Sequence, residues 1–170
     1  MADIKGAVSG AIEYLIAHPG DAQYTDEAVT AVLESGLRVR SVAGGVEVVT
    51  DMPTSVGGGA SAPSPGAFYR AGIASCLATL IALRAAVEEV SLSRLEVTLD
   101  SKSDDRGILG ADPGVPAGPL SVRAQVVIDA DASPEQVAQL VDWATEHCPF
   151  SEALGRVVPL TVTWSAGGTG

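Results

Sequence analysis

The chain contains two cysteines, Cys76 and Cys148, which lie far apart in a sequence of 170 residues. Cys148 directly precedes Pro149, and proline favours the first position of a helix because its φ is already helical and it has no N–H. Cys148 would then be the N-cap, where free N–H groups and the helix dipole favour the reactive thiolate. A small buried residue that merely precedes a helix is the other interpretation, and both remain open at this point.

The second cysteine, Cys76, lies inside the apolar stretch "AGIASCLATLIAL". A free cysteine in such a place is most simply a small buried apolar side chain, and burial raises the pKa of a thiol. A reactive Cys76 would need a cationic partner, and arginine suits this role because it stays charged when buried. The arginines that could serve are Arg38, Arg40, Arg70 and Arg84.

The histidines give weaker signals. His147, beside Cys148, could add positive charge or act as the base of a Cys–His hydrolase, but the sequence assigns it no orienting carboxylate. His18, His147 and the two cysteines do not show the usual spacing of zinc ligands.

The Gly-rich segment "GGGASAPSPG" lacks the lysine of a phosphate-binding P-loop. We therefore expect neither a metal nor a cofactor.

The charge balance restricts the partners. Ten Lys plus Arg face 21 Asp plus Glu, so the net charge of -11 disfavours binding to nucleic acid and to anionic membranes. The uncharged apolar run of residues 71–83 is shorter than the ~20 residues that span a bilayer. The N-terminus lacks a signal-peptide pattern, and two cysteines are too few for a secreted disulfide scaffold. These features predict a cytoplasmic protein.

Length and apolar content predict a single domain over residues 1–170, with a helical extension over 1–20 and a flexible tail over 165–170. Alternating residues around Gly44-Gly45 predict a hairpin or the start of an antiparallel sheet. Ser64 and Pro65 predict the N-cap and first residue of a helix that runs to about Val90. This helix is apolar on nearly every side, so we expect a sheet on one face and a partner subunit on the other.

The second half of the chain alternates strands and helices. "LSRLEVTLDSKS" and "PLSVRAQVVIDAD" predict strands on either side of the Gly/Pro loop "DDRGILGADPGVPAG". "SPEQVAQLVDWATEH" predicts a helix capped by Ser133, followed by a short helix from Pro149 and a final strand, "VVPLTVTW". The order of elements predicts an α+β domain with a mainly antiparallel sheet.

Three stretches resemble the OsmC/Ohr family, the osmotically inducible protein C and organic hydroperoxide resistance proteins. "PSPGAFYRAGIASC" is similar to the family's proline-containing loop and the start of its central helix, which ends in the peroxidatic cysteine. "HCPFSEAL" is similar to the segment of the second cysteine, and "SVRAQVVIDADASPEQVAQLVDWATEHCP" has the strand and helix that lead to it. The resemblance covers roughly residues 30–165.

The resemblance implies a fold and an activity. The fold would be OsmC-like, with an antiparallel sheet wrapped on the long central helix of an intertwined homodimer whose active sites use both subunits. Cys76 would attack an organic hydroperoxide and become a sulfenic acid, which Cys148 would resolve as a disulfide. An external dithiol, lipoyl groups in some members, would reduce that disulfide. The protein would then act as a peroxidase in oxidative-stress defence.

The resemblance also places an arginine from the first strand region against the peroxidatic sulfur. Arg38 is the nearest match and Arg40 the alternative, since strand alternation puts both on one face. Active members carry a glutamate that holds this arginine directly after the loop proline, but this chain has Gly66 there, and Glu34 could substitute. The loop "DDRGILGADPGVPAGPLSVR" resembles one found in OsmC-like members without a settled activity. This loop and Gly66 together motivate a second hypothesis, which is a catalytically silent dimer that binds a small apolar ligand at its interface.

Overall fold

The structure is a computed structural model that describes residues 3–165. It confirms the α+β class, with antiparallel strands and one long central helix. The helices of the described part are α1 (Ile4–Ala17), α2 (Pro65–Val87), α3 (Asp105–Ile108), α4 (Pro134–His147) and α5 (Pro149–Gly155). The strands of the described part are β1 (Thr30–Ser35), β2 (Arg38–Ala43), β3 (Val46–Thr50), β4 (Leu92–Lys102) and β5 (Ser121–Ala130).

The strands form two separate sheets. β1, β2 and β3 make an antiparallel meander, and β4 pairs antiparallel with β5 from Leu92↔Ala130 to Lys102↔Ser121. The predicted hairpin at Gly44-Gly45 is confirmed, and both glycines have positive φ (54° and 74°), which the tight turn between β2 and β3 requires. The predicted loop between β4 and β5 contains the short helix α3.

The central helix α2 begins where its capping residues predict. The Ala67 N–H donates to the Ser64 side chain, and Pro65 is the first helical residue. The helix ends at Val87, slightly before the predicted end near Val90. Its buried residues recur every four positions and face β4 and α4, which packs Leu140 and Ala144 against it. The buried residues of α2 are Ile73, Leu77, Ile81 and Ala85.

Much of α2 has no cover within one protomer. By length and composition alone its 23 residues could cross a membrane, and in this fold one stripe of them is buried against neighbouring elements. The expectation that α2 is enclosed on all sides is not met by the chain alone, because Ala71, Ser75 and Thr79 remain exposed. The helix therefore keeps a surface on which another polypeptide could pack.

The predicted final strand is wrong for the isolated chain. Residues 156–165 form no strand, and Val157, Leu160 and Trp164 are 92%, 86% and 86% exposed. A strand is stable only when a neighbouring strand satisfies its backbone groups, and Pro159 removes one donor from the run. Of the predicted flexible tail, residues 166–170 lie outside the described residues.

Asp51 fixes the loop between β3 and α2. Its carboxylate, 3% exposed, accepts hydrogen bonds from the N–H and hydroxyl of Ser61 (3.0 and 2.8 Å) and from the N–H groups of Met52 (2.8 Å) and Gly59 (3.3 Å). The Ser61 bonds, helped by those from Met52 and Gly59, outweigh burial and lower the pKa of Asp51 to about 2. The ionised carboxylate therefore holds the loop in place and orients Ser61.

We predict that Asp51→Asn destabilises the protein at neutral pH. Because the folded-state pKa lies below the unfolded value, the carboxylate stabilises the fold above about pH 4, and this contribution disappears as the pH falls towards 2. Urea unfolding at pH 7 and pH 3 should show a smaller difference between variant and wild type at the lower pH. Asp142→Asn, at an exposed position of α4, is the control. An effect of Asp51→Asn that does not change with pH would contradict this account.

Candidate active site

The fold places the two cysteine side chains against each other. Cys76 comes from the middle of α2, and Cys148 from the junction between α4 and α5. The two thiols lie close enough for each to shift the pKa of the other, and neither is in a disulfide. Cys148 packs with Ile73 and Leu77 in a small apolar cluster, and Cys76 borders the same cluster. Two thiols in contact can exchange a proton and, after oxidation, form a bond.

The two thiols differ in exposure. Cys148 is 0% exposed, whereas Cys76 is half-buried. A molecule from solvent can therefore reach the sulfur of Cys76 more readily than that of Cys148. This asymmetry suits a site in which one thiol meets a reagent and the other reacts only with its neighbour.

The local sequence makes Cys148 the more acidic thiol. As predicted, it is the N-cap of α5 and Pro149 is the first helical residue. Burial raises its pKa, but the nearby N–H and hydroxyl of Ser151, the Cys76 thiol and the Phe150 N–H together lower it. The polar groups at the start of α5 thus stabilise an anion on a buried sulfur.

Cys76 is the weaker acid of the two. Burial, the adjacent Cys148 thiol and the negative charge on that sulfur together raise the pKa of the Cys76 thiol to about 11. No guanidinium contributes to the pKa of Cys76 within the described part of the chain. Of the two thiols, Cys148 is therefore the one that loses its proton first.

Phe150 and Gly72 fix the spacing of the two cysteine segments. Gly72 lies one turn before Cys76 on α2, and a Cβ at Gly72 would lie 3.4 Å from the ring of Phe150. Phe150 follows Cys148 by two residues, so its ring anchors α5 on the same face of α2. A Cβ at Gly72 would only touch the ring, whereas the γ-carbons of a larger side chain would have to displace it.

The candidate arginines on β2 form an ion-pair cluster with Glu34. Arg38 Nε donates to one carboxylate oxygen of Glu34 (3.0 Å), and Arg40 Nε donates to the other (3.1 Å). Arg38 Nη1 also donates to Ser61 Oγ (2.8 Å), which donates to Asp51. Both arginines project from one face of β2, as strand alternation predicts, and Glu34 orients them.

The remaining candidates lie in other arrangements. Arg84 pairs with Glu88 and lies over the ring of Trp143, 5.2 Å from its centroid. His147 stacks on the same Trp143 ring, with the two ring centroids 4.2 Å apart. Its Nδ1 hydrogen-bonds the Trp143 carbonyl (2.8 Å). His147 is therefore engaged along α4, and the structure gives it no contact that would make it a base for Cys148.

Sequence reasoning did not name Ser151 and Phe150 as parts of the site. A signal was available, because a side chain at the N-cap accepts from the second and third helical N–H groups, and these belong to Phe150 and Ser151. Among residues 3–165, no group of three or more His, Cys, Asp and Glu side chains could hold a metal ion. The site as described is built on thiol chemistry.

Comparisons with known proteins agree on one fold. A model of the family described as OsmC-like protein matches residues 57–163. Among solved structures, an OsmC-like protein from Mycoplasma pneumoniae has a TM-score of 0.68 at 17% identity, over 79% of this chain and 91% of that one. No curated protein sequence matches the chain at a significant level.

Two further structures carry names that refer to hydroperoxides. An organic hydroperoxide resistance protein OsmC from Legionella pneumophila, also described as a predicted redox protein, has a TM-score of 0.53 at 25% identity, over 77% of this chain and 89% of that one. An organic hydroperoxide resistance protein from Elizabethkingia anophelis has a TM-score of 0.54 at 19% identity, over 77% and 88%. The family match, which spans more than half of the chain, and the shared fold show that this chain belongs to the OsmC-like protein family.

Proposed function

We propose that the protein is a thiol-dependent peroxidase that reduces organic hydroperoxides. The observation that carries the proposal is the direct contact between a half-buried thiol, Cys76, and a fully buried, more acidic thiol, Cys148. The Legionella pneumophila relative, at 25% identity, bears the name of an organic hydroperoxide resistance protein, which supports a peroxide-related stress function.

The contact between the thiols gives the first step a route for its proton. The Cys148 thiolate takes the proton of Cys76, and the Cys76 thiolate attacks the terminal oxygen of the hydroperoxide. An S–O bond forms and the O–O bond breaks, so the sulfur is oxidised to a sulfenic acid and the peroxide is reduced. The alkoxide leaves as an alcohol with the proton that Cys148 had accepted.

The second step needs no rearrangement over long distances. Cys148, again a thiolate, attacks the sulfenic sulfur of Cys76, forms the disulfide and releases hydroxide, which solvent protonates to water. A dithiol reductant, of which a lipoyl group is one type, then restores both thiols by two exchange reactions and becomes a disulfide itself. One hydroperoxide and one dithiol are consumed in each cycle.

The high pKa of Cys76 indicates that a cation completes the site. We assign this role to Arg38 in a homodimer, because Glu34 and Ser61 hold Arg38 from two sides while Arg40 has Glu47 (3.8 Å) as its second partner. The exposed surface of α2 and the unpaired apolar segment 156–165 support such a dimer. A guanidinium near Cys76 would stabilise its thiolate and the departing oxygen.

A second candidate function is a catalytically silent dimer that binds a small apolar ligand at its interface. The observation that favours it is the pKa of Cys76, about 11, since a thiol of that kind is mostly protonated at neutral pH. Gly66, in place of the glutamate expected from the resemblance, favours it as well. In that case Cys76 would only line the ligand site, and Cys76→Ser would leave ligand affinity and stability unchanged.

We predict that one equivalent of an alkyl hydroperoxide removes two free thiols from the reduced protein. In Cys148→Ser the reaction should stop at a sulfenic acid, which a dimedone adduct would reveal, and in Cys76→Ser the remaining thiol should survive. Thiol counting and intact mass measure these outcomes. His147→Ala is the control, because His147 stacks on Trp143 and should not affect the count. Survival of both wild-type thiols, while Cys76 still accepts an alkylating agent, would support the silent alternative and reject the peroxidase.

We predict that Arg38→Gln slows the peroxide reaction by at least about tenfold and moves its pH dependence to higher pH, because the thiolate of Cys76 loses a stabilising charge. Arg40→Gln, which removes the other arginine bound to Glu34, should have a smaller effect. Stopped-flow measurement of the reaction between pH 6 and 10 distinguishes the two variants. Equal effects of both substitutions, or none, would show that Arg38 does not serve Cys76.

We predict that Gly72→Val slows disulfide formation by roughly tenfold or more while sulfenic acid still forms, because the new side chain displaces Phe150 and with it Cys148. Gly72→Val combined with Phe150→Ala should recover part of the lost rate. Gly10→Val in α1, where nothing lies within 4 Å of a Cβ, tests the general cost of valine in a helix. A normal rate in Gly72→Val would exclude this contact as the determinant of the thiol geometry.

A further inference from the structure

A cavity of about 320 Å³ lies between the start of α2 and the loop that joins β4 to β5. Its volume falls at the lower end of the range found for small-molecule sites, ~300–1,000 Å³. Neither cysteine lines it, and Arg70 precedes Cys76 by six residues, about 9 Å along the helix axis at about 1.5 Å per residue. The cavity is therefore separate from the thiol pair.

The wall contributed by the loop is held by its own contacts. Arg106 donates through Nη2 to Asp104 (2.6 Å) and lies 3.6 Å from a carboxylate oxygen of Asp112. A Cβ at Gly107 would lie 2.1 Å from the carbonyl oxygen of Pro116, so only glycine permits the chain to close at this point. These contacts form the cavity before any ligand arrives, which lowers the entropic cost of binding.

Among residues 3–165, Arg70 is the only cation that lines the cavity. As a residue Arg70 is half-buried, and no carboxylate of residues 3–165 lies within 4 Å of its guanidinium. Two aspartates also line the cavity, but Asp104 is neutralised by Arg106 and Asp105 is exposed to solvent at the start of α3. A partly desolvated guanidinium gains most from a carboxylate, which it can bind through two parallel hydrogen bonds.

Gly66 keeps the guanidinium accessible. A Cβ at this position would lie 3.6 Å from Arg70 Nη1, so a longer side chain would fill the space beside the cation or pair with it. The other walls are mainly apolar, and Ile108 is 63% exposed in the absence of a ligand. The apolar side chains that line the cavity belong to Met52, Pro65, Tyr69, Ile108, Ala117 and Pro119.

We infer that this cavity binds a small organic carboxylate, with its carboxylate on Arg70 and its apolar chain against Met52, Ile108 and Pro119. The site belongs to one protomer and does not depend on the thiol chemistry proposed above. Its occupant is distinguished from the interface ligand of the silent alternative by its negative charge and by its contact with Arg70.

Calorimetric titration of octanoate into the reduced protein, without peroxide, tests the inference. We expect one saturable site per chain, with affinity at least about tenfold weaker for octanamide, which has the same chain but no charge. Arg70→Gln should weaken octanoate binding at least about tenfold, and Gly66→Glu should do the same by pairing a carboxylate with Arg70. Arg84→Gln, on the same helix but outside the cavity, is the matched control and should bind like wild type.

Circular dichroism checks the fold of each variant, and Arg70→Lys, which keeps the charge, provides a second test if Arg70→Gln is unstable. Lysine should bind octanoate more tightly than any stable neutral replacement at this position. Absence of saturable octanoate binding, equal affinity for octanamide, or equal losses in Arg70→Gln and Arg84→Gln would overturn the inference. The same titration of Cys76→Ser should give the wild-type affinity, so a failed peroxidase assay and a failed carboxylate site remain distinguishable.

Discussion

The contact between the Cys76 and Cys148 thiols is the constraint on which the site depends. It requires α2 to pass beneath the junction of α4 and α5, and the apolar cluster around Ile73 and Leu77 holds the two segments together. The Phe150 ring lies against α2 at Gly72, so the residue that follows Cys148 by two positions is placed one turn before Cys76. Packing removes Cys148 from solvent and leaves the sulfur of Cys76 beside it, so Cys148 can react with Cys76 more readily than with a molecule from solvent.

The distribution of charge around the two thiols is the reason for the proposal that a second chain contributes to the site. The polar groups at the start of α5 favour the anion on Cys148, whereas burial and that same anion raise the pKa of Cys76. The best-oriented cation, Arg38, lies on a separate three-stranded sheet, fixed by Glu34 and by the Ser61–Asp51 contact. In a dimer, the ordered arginine on the sheet of one chain would lie against the exposed face of α2 of the other chain. It would supply the cation that Cys76 lacks.

The sequence predicts the elements whose signals are local. Ser64 with Pro65, Ser133 with Pro134 and Cys148 with Pro149 mark three helix starts that the structure confirms. The strand "VVPLTVTW" could not be predicted correctly for the isolated chain, because its formation depends on a partner strand that local sequence does not reveal. The juxtaposition of Cys76 and Cys148 is likewise nonlocal. Spacing left it open, and only the resemblance to the OsmC/Ohr proteins suggested it before the fold was known.

Peptide mapping of the oxidised protein tests the account most directly. An equal mixture of isotopically heavy and light reduced protein, denatured and dissociated, refolded together and treated with one equivalent of an alkyl hydroperoxide, should give a peptide in which Cys76 is linked to Cys148. The account predicts only heavy–heavy and light–light linkages, because both sulfurs belong to one chain. Mixed heavy–light linkages, or two unmodified cysteines after the hydroperoxide is consumed, would contradict it.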